Sequence, residues 1–191
     1  MSPPGLRRMR ADARRNYESL LATAHAMFSE HGTDASLEEI ARRAGLGIGT
    51  LYRHFPTREA LLEALLHDRM EGLAAEAGAL LADPSPRAAL WRWLTAFTER
   101  AFIYRGLPAS VMATLRDETS ELAASCHRLN TAGAALIRRA QDAGEIRADV
   151  APADVMAMAG AIAWVGEQTP DDPERRSRLL TLLADGLTTG A

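Results

Sequence analysis

Residues 36–58 read SLEEIARRAGLGIGTLYRHFPTR, two short helical patterns on either side of a glycine-bearing turn. A turn this short joins only two helices packed at a steep angle, so this stretch constrains the local fold more than any other. Ser36 with Glu39 forms a capping box, in which the serine accepts an orphan first-turn amide and the glutamate reaches back to the cap. Leu37, Ile40, Ala41 and Ala44 fall at i, i+3, i+4 and i+7, one apolar helical face, with Glu38, Arg42 and Arg43 on the other. Gly45 stops this helix, because glycine takes the left-handed conformation of a C-terminal cap.

A second helix is expected over about 47–54. At 100° per residue, Ile48, Leu51 and Phe55 cluster within about 60° of one another and face inward. Gly49, Thr50 and Arg53 point the opposite way, with Tyr52 and His54 on the flanks. That is the layout expected of a helix lying in a DNA groove. An outward guanidinium suits a bidentate contact with guanine, and threonine reaches a base edge, a methyl or a phosphate. Glycines at Gly47 and Gly49 leave room for a backbone to approach a partner closely. Tyr52 and His54 can donate to phosphate oxygens, which fix register without reading sequence. Pro56 ends the helix and Thr57 caps the next, whose N-terminus is an anion site where Thr57 and Arg58 are expected to hold a phosphate. The competing reading is a helical hairpin whose polar face is only solvated.

The run GLGIGTLYRHFPTREALLEAL resembles the DNA-binding signature of the tetracycline-repressor (TetR) family of bacterial regulators. The preceding ESLLATAHAMFSEHGTDASLEEIARRAG resembles that family's first two helices, so the likeness covers roughly residues 11–70. The resemblance implies an all-α fold of about nine helices. A three-helix N-terminal helix-turn-helix domain would precede a helical-bundle regulatory and dimerisation domain, and two subunits would bind a palindromic operator. By position, Thr50, Tyr52, His54 and Arg58 match the family's usual DNA contacts, although lysine often stands where this chain has Arg58. The expected division is a basic arm at 1–10, a DNA-binding domain at 11–58 with its motif at 36–55, and an effector-binding and dimerisation domain at 59–191. The expected DNA-facing set is Ser36, Gly47, Gly49, Thr50, Tyr52, Arg53, His54, Thr57 and Arg58.

Charge distribution agrees with such a division. The whole chain carries a net charge of −3, which argues against wholesale coating of nucleic acid. Residues 1–58 hold nine Arg against six acids, and residues 59–191 hold thirteen against nineteen, so a basic end adjoins an acidic body. Every cation is Arg. Five of them between positions 7 and 15 would make either a mobile arm over DNA phosphates or a solvated tail. The first fifteen residues lack the apolar core of a signal peptide, and no run of 18 apolar residues exists, so neither secretion nor a membrane span is expected. A single cysteine, Cys126, excludes an internal disulfide framework and fits a reducing cytoplasm. Its place on an apolar stripe favours a buried thiol over a redox sensor.

Beyond the motif, helical periodicity runs to the end and the alternation of a sheet is absent. Helices are expected at about 12–31, 58–82, 87–104, a short one to 116, 119–143, 152–168 and 173–187. In 87–104, Leu90, Leu94, Phe97, Ala101 and Tyr104 form one stripe while Trp91, Trp93, Phe102 and Ile103 fall off it, the pattern of a helix buried on several sides. In 119–143 the stripe is Leu122, Cys126, Leu129, Gly133, Leu136 and Ala140.

The five histidines lack metal-site spacing, GLGIG lies in a helix-turn-helix and not after a strand, and no catalytic signature appears. No metal, cofactor or enzymatic activity is therefore expected. Trp91, Phe97, Phe102, Tyr104, Met112, His127 and Trp164 are candidates to border a pocket for a small, largely apolar effector, with His127, Thr98 and Arg105 as polar anchors; the same residue types also fill helical cores. Ala157, Gly160, Ala161 and Trp164, with Leu179, Leu182, Leu183 and Gly186, form two stripes suited to a homodimer interface. Together these features point to a sequence-specific, homodimeric DNA-binding regulator, a repressor that leaves a palindromic operator when its ligand binds. The alternatives are a DNA-binding regulator signalled by a protein partner or by no ligand, and, more remotely, a small helical enzyme or carrier.

Overall fold

A computed structural model describes residues 4–100, 107–169 and 171–188 of the chain, with side chains from residue 11 onward. Among these residues the regular structure is helical throughout, in the order α1 Pro4–His31, α2 Leu37–Arg43, α3 Ile48–His54, α4 Arg58–Leu80, α5 Pro86–Arg100, α6 Ala109–Arg116, α7 Glu121–Asp142, α8 Pro152–Gln168 and α9 Arg175–Leu187. The all-α class expected from periodicity is the class found. No helix among the described residues is long and apolar enough to cross a membrane. α1 starts earlier than its apolar stripe. Residues 4–10, expected as an arm, continue it, since Leu, Arg and Met are good helix formers and Pro4 is tolerated in a first turn. Residues 1–3 of that arm lie outside the described residues.

The helices sort into two compact units. The first holds α1 to α3, α4 as far as Leu66, and most of α6; the second holds α4 from His67, α5 and α7 to α9. The division between these compact units falls inside α4. Leu61, Leu62, Leu65 and Leu66, all buried, belong to the first unit.

In the first unit, Leu20, Ala24 and Phe28 of α1 are wholly buried. Gly32, with φ 77°, turns the chain out of α1. In the second unit the centre is Trp93 of α5. Its indole is fully buried, Nε1 donates to the carbonyl oxygen of Leu73 on α4 at 2.8 Å, and its ring stacks on Phe97 at 5.3 Å. Gly133 of α7 lies against it so closely that an added Cβ would sit 2.5 Å from Trp93 Cη2. Val155, Met156 and Ala159 of α8 and Leu187 of α9 complete this core.

The inner face of α7 is Leu122, Ser125, Leu129, Gly133, Leu136, Ile137 and Ala140. Ser125, fully buried, takes the place the stripe gave to Cys126, which is only half-buried. The serine is tolerated because it is bonded on all sides. Its Oγ lies 2.7 Å from His67 Nδ1, donates to the carbonyl oxygen of Glu121, and accepts from Arg128 Nη2, whose Nε in turn donates to Glu71. Arg128 and Ser125 hold the Glu71 carboxyl below its ordinary range.

Candidate nucleic-acid interface

The helix-turn-helix is built as the sequence dictates, with one change at its first cap. Ser36 Oγ accepts the amide of Glu39 at 3.2 Å, as a capping serine should. The Glu39 carboxylate is turned to Arg42 and Arg43, at 2.6 and 2.8 Å, because two guanidiniums one turn on outcompete a neutral amide for a carboxylate. These bonds lower its pKa to about 2. Ser36 instead donates to Glu38 at 3.0 Å. At the other end Gly45, with φ 71°, donates to the carbonyl oxygen of Arg42, and Leu46 donates to that of Ala41 at 2.9 Å, so a pair of hydrogen bonds closes α2.

α3 follows at once, with Gly47 as its cap residue in extended conformation. Leu51 is wholly buried and Phe55 nearly so, while Ile48 is half-buried. Tyr17 of α1 packs its ring 5.1 Å from that of Phe55 and meets His54 edge-on at 6.0 Å. This aromatic brace was not legible in the sequence, since Tyr17 lies far from both partners in the chain. On the outer side Gly49, Tyr52 and Arg53 are exposed, Tyr52 at 45%, and Thr50 and His54 are half-buried. α3 therefore presents to solvent the residues assigned to base and phosphate contact. The next helix begins as expected, with Thr57 Oγ1 accepting the amide of Ala60 at 3.1 Å. Arg58 differs. Its Nη1 donates to the carbonyl oxygens of Thr33 and Ala35, at 2.6 and 2.5 Å, in the loop between α1 and α2.

The described members of the expected effector set occupy different environments. Phe102, Tyr104 and Arg105 lie outside the described residues. Phe97 is in the core against Trp93. His127 points to solvent, because at 100° per residue it lies opposite Ser125 and Leu129 on α7. Trp164 is 57% exposed on the outer side of α8. Thr98 is buried but donates back to Thr95 on its own helix. Trp91 and Met112 are half-buried. Among the described residues no group of three or more His, Cys, Asp and Glu is placed to hold a metal ion.

The dimer set fares differently. Ala157, Ala161, Trp164, Leu182 and Gly186 are exposed, and Gly160, Leu179 and Leu183 are half-buried. An open apolar groove of about 350 Å³ runs between α8 and α9, lined by Met158, Ile162, Leu179, Leu182, Leu183, Gly186 and Leu187. Leu183 also packs on the subunit's own core, so part of its stripe is occupied within the chain. Met158, 53% exposed and one turn before Ile162, extends the apolar face beyond the small residues singled out in the sequence.

A capped helix-turn-helix whose second helix exposes Arg and Tyr defines a DNA-binding regulator. Comparison with known proteins assigns the family. Residues 20–65 match the family of bacterial regulatory proteins of the tetR type, and residues 85–189 match the C-terminal domain of SbtR-like transcriptional regulators. The chain belongs to the TetR family, whose members are transcription factors and not enzymes. The crystal structure of the TetR transcriptional regulator SCO0520 from Streptomyces coelicolor is 39% identical and superposes with a TM-score of 0.75 over 92% of this chain and 99% of that one. A TetR regulatory protein from Mycobacterium vanbaalenii is 30% identical, with a TM-score of 0.66 over 95% and 99% of the two chains. Among curated proteins, an HTH-type transcriptional regulator of Staphylococcus aureus, SAR0097, is 34% identical over 80 residues. That match spans 40% of this chain and 41% of the relative, well short of its full length.

Proposed function

We propose that this TetR-family regulator is a homodimeric repressor that reads a palindromic operator with the α3 helices of its two subunits. The observation that carries the reading is the two-sidedness of α3: Leu51 and Phe55 are buried while Gly49, Tyr52 and Arg53 are exposed. In this reading Arg53 contacts a base edge, Thr50 a base or phosphate, and Tyr52, His54 and Thr57 the backbone, with Ser36 and Gly47 at the approach. Dimerisation is assigned to α8 and α9. The support is an apolar groove rimmed by exposed Leu182 and Met158, with Trp164 exposed on α8, a concentration of large apolar side chains that a lone subunit leaves in water. A two-fold pair placing the α3 helices ~34–36 Å apart would match one turn of the duplex. Residues 11–58 then form the reading domain, and release follows when a small, largely apolar molecule binds within 59–191, with α4, which contributes to both units, as the route of the signal. The ligand part of this reading rests on family membership.

Selection of duplexes retained by the full-length protein tests the reading. Enrichment of a two-fold symmetric sequence with half-site centres about 10 base pairs apart is expected. Retention without any symmetric sequence would refute the paired-reading model, and sedimentation as a monomer at micromolar concentration would refute the dimer.

A further inference from the structure

Arg58 stands where the sequence alone places a phosphate contact, yet Nη1 of its guanidinium is engaged within the first unit. Nη1 spans the carbonyl oxygens of Thr33 and Ala35, residues only 3% and 8% exposed. Carbonyls at buried residues need donors, and here a charged donor serves both. The guanidinium carbon lies 6.0 Å from the centre of the fully buried Phe28 ring on α1. The charge of Arg58 also contributes, after the Glu38 backbone amide and Ser36, to holding the Glu38 carboxyl of α2 below its ordinary range. One side chain at the start of α4 thus reaches α1 and the loop after it.

That loop decides where α2 begins. Ala35 donates to the carbonyl oxygen of Gly32 at 3.2 Å, Ser36 caps α2, and the short turn at Gly45 carries α2 directly into α3. A reading helix must be held to within about 0.5 Å of its productive position, so the orientation of its supports is part of its specificity. We propose that Arg58 is a positioning residue for operator recognition: by bonding the carbonyls of Thr33 and Ala35 it sets the entry of α2 and hence the placement of α3, and acts on base discrimination through the protein, not by holding a phosphate. This rests on the DNA-reading role proposed above.

Arg58→Met in the full-length protein keeps an apolar stem against Phe28 and removes the donors and the charge. Two measurements then separate the roles. In the free protein, amide hydrogen exchange at Ala35 and Glu39 is expected to quicken about tenfold or more, because the loop has lost its tie. On DNA, affinity for the selected operator is expected to fall roughly ten- to a hundredfold, while affinity for a random duplex and its salt dependence stay at the wild-type values. A phosphate contact behaves in the opposite way. Exchange in the free protein is unchanged, both duplexes weaken alike, and the slope of log affinity against log salt becomes shallower by about 0.9. That result overturns the proposal, as does unchanged discrimination between operator and random duplex. If Arg58→Met does not fold, Arg58→Gln, neutral but still polar, is put through the same two measurements with the same outcomes deciding. Failure of the wild-type protein to bind any duplex would sink the DNA-reading role, and the positioning role with it; the exchange rates would then show only whether Arg58 ties the loop.

Discussion

Replacing Gly133 by alanine should destabilise the protein, although the same change at Gly72 or Gly78 of α4 should stabilise it. In a helix interior alanine is better than glycine by about 0.8–1.0 kcal/mol. At Gly72 and Gly78 of α4 an added Cβ meets nothing within 4 Å, so that gain survives. At Gly133 the Cβ would lie 2.5 Å from Trp93 Cη2 and 2.8 Å from both Trp93 Cζ3 and Met156 Sδ. Carbon atoms rest about 3.5–4.0 Å apart, so roughly 1 Å must be opened. Met156 is flexible and can yield. Trp93 is wholly buried, bonded through Nε1 to Leu73 and stacked on Phe97, so it can move only by straining one of those contacts. Overpacking of this kind costs about 1–3 kcal/mol, and weakening the indole bond adds up to about 1 kcal/mol. After the helix gain is subtracted, a net loss of roughly 0–3 kcal/mol remains, with a midpoint of about 1.5 kcal/mol or roughly 3–6 °C in Tm for a chain of this size. Guanidinium and thermal unfolding followed by circular dichroism, with Gly72→Ala and Gly78→Ala alongside, measure it. If Gly133→Ala proves as stable as those two variants, Trp93 is not seated against α7 as described.

Three further outcomes follow from the interface and its supports. Arg53→Ala should cost ~1–3 kcal/mol on the selected operator and relax base preference at one position per half-site; intact affinity and preference in a titration would remove Arg53 from the reading set. Leu182→Glu should yield a monomer with its helical signal intact, because Leu182 is 67% exposed and the subunit core does not depend on it; an unchanged dimer mass on sedimentation moves the interface elsewhere. Arg42 and Arg43 hold Glu39 at about 2, below its ordinary 4.5, so its contribution to stability is full above pH 4.5 and is lost as the pH falls toward 2. Glu39→Gln should therefore flatten the acid loss of stability across that window, and an acid-unfolding profile identical to the wild type would contradict the assignment.

The fold was legible wherever one helix turn is enough to decide a residue's role. Ser36, Gly45 and Thr57 act locally, and each does in the structure what its neighbours in the chain imply. The inward set Leu37, Ile40, Ala41, Leu51 and Phe55 was legible because helical period alone separates it from the charged side. What depended on distant partners was not. Hydropathy prefers Cys126 to Ser125 on the inner face of α7, but His67, distant in sequence, makes the serine the buried one. Arg58 finds equally good acceptors in a phosphate and in loop carbonyls, and only the folded path of residues 33–35 brings the carbonyls within reach. Leu182 and Leu183 look alike in sequence, and only the packing of the second unit assigns Leu183 partly to the core and leaves Leu182 in water.

The exposed side of α3 has a further consequence for how such a protein can diverge. The helix is held by Leu51, Phe55 and the Tyr17 brace, while an added Cβ at Gly49 would meet no atom within 4 Å and Arg53 stands in solvent. Changes on that side are therefore nearly silent in the free protein and are felt only by whatever DNA it meets. A duplicated gene could drift to a new operator through substitutions at Gly49, Tyr52 and Arg53 without first acquiring compensating mutations in its interior. The same freedom does not extend to Leu51 or Phe55, where each trial of a new residue would be a trial of folding before it was a trial of recognition.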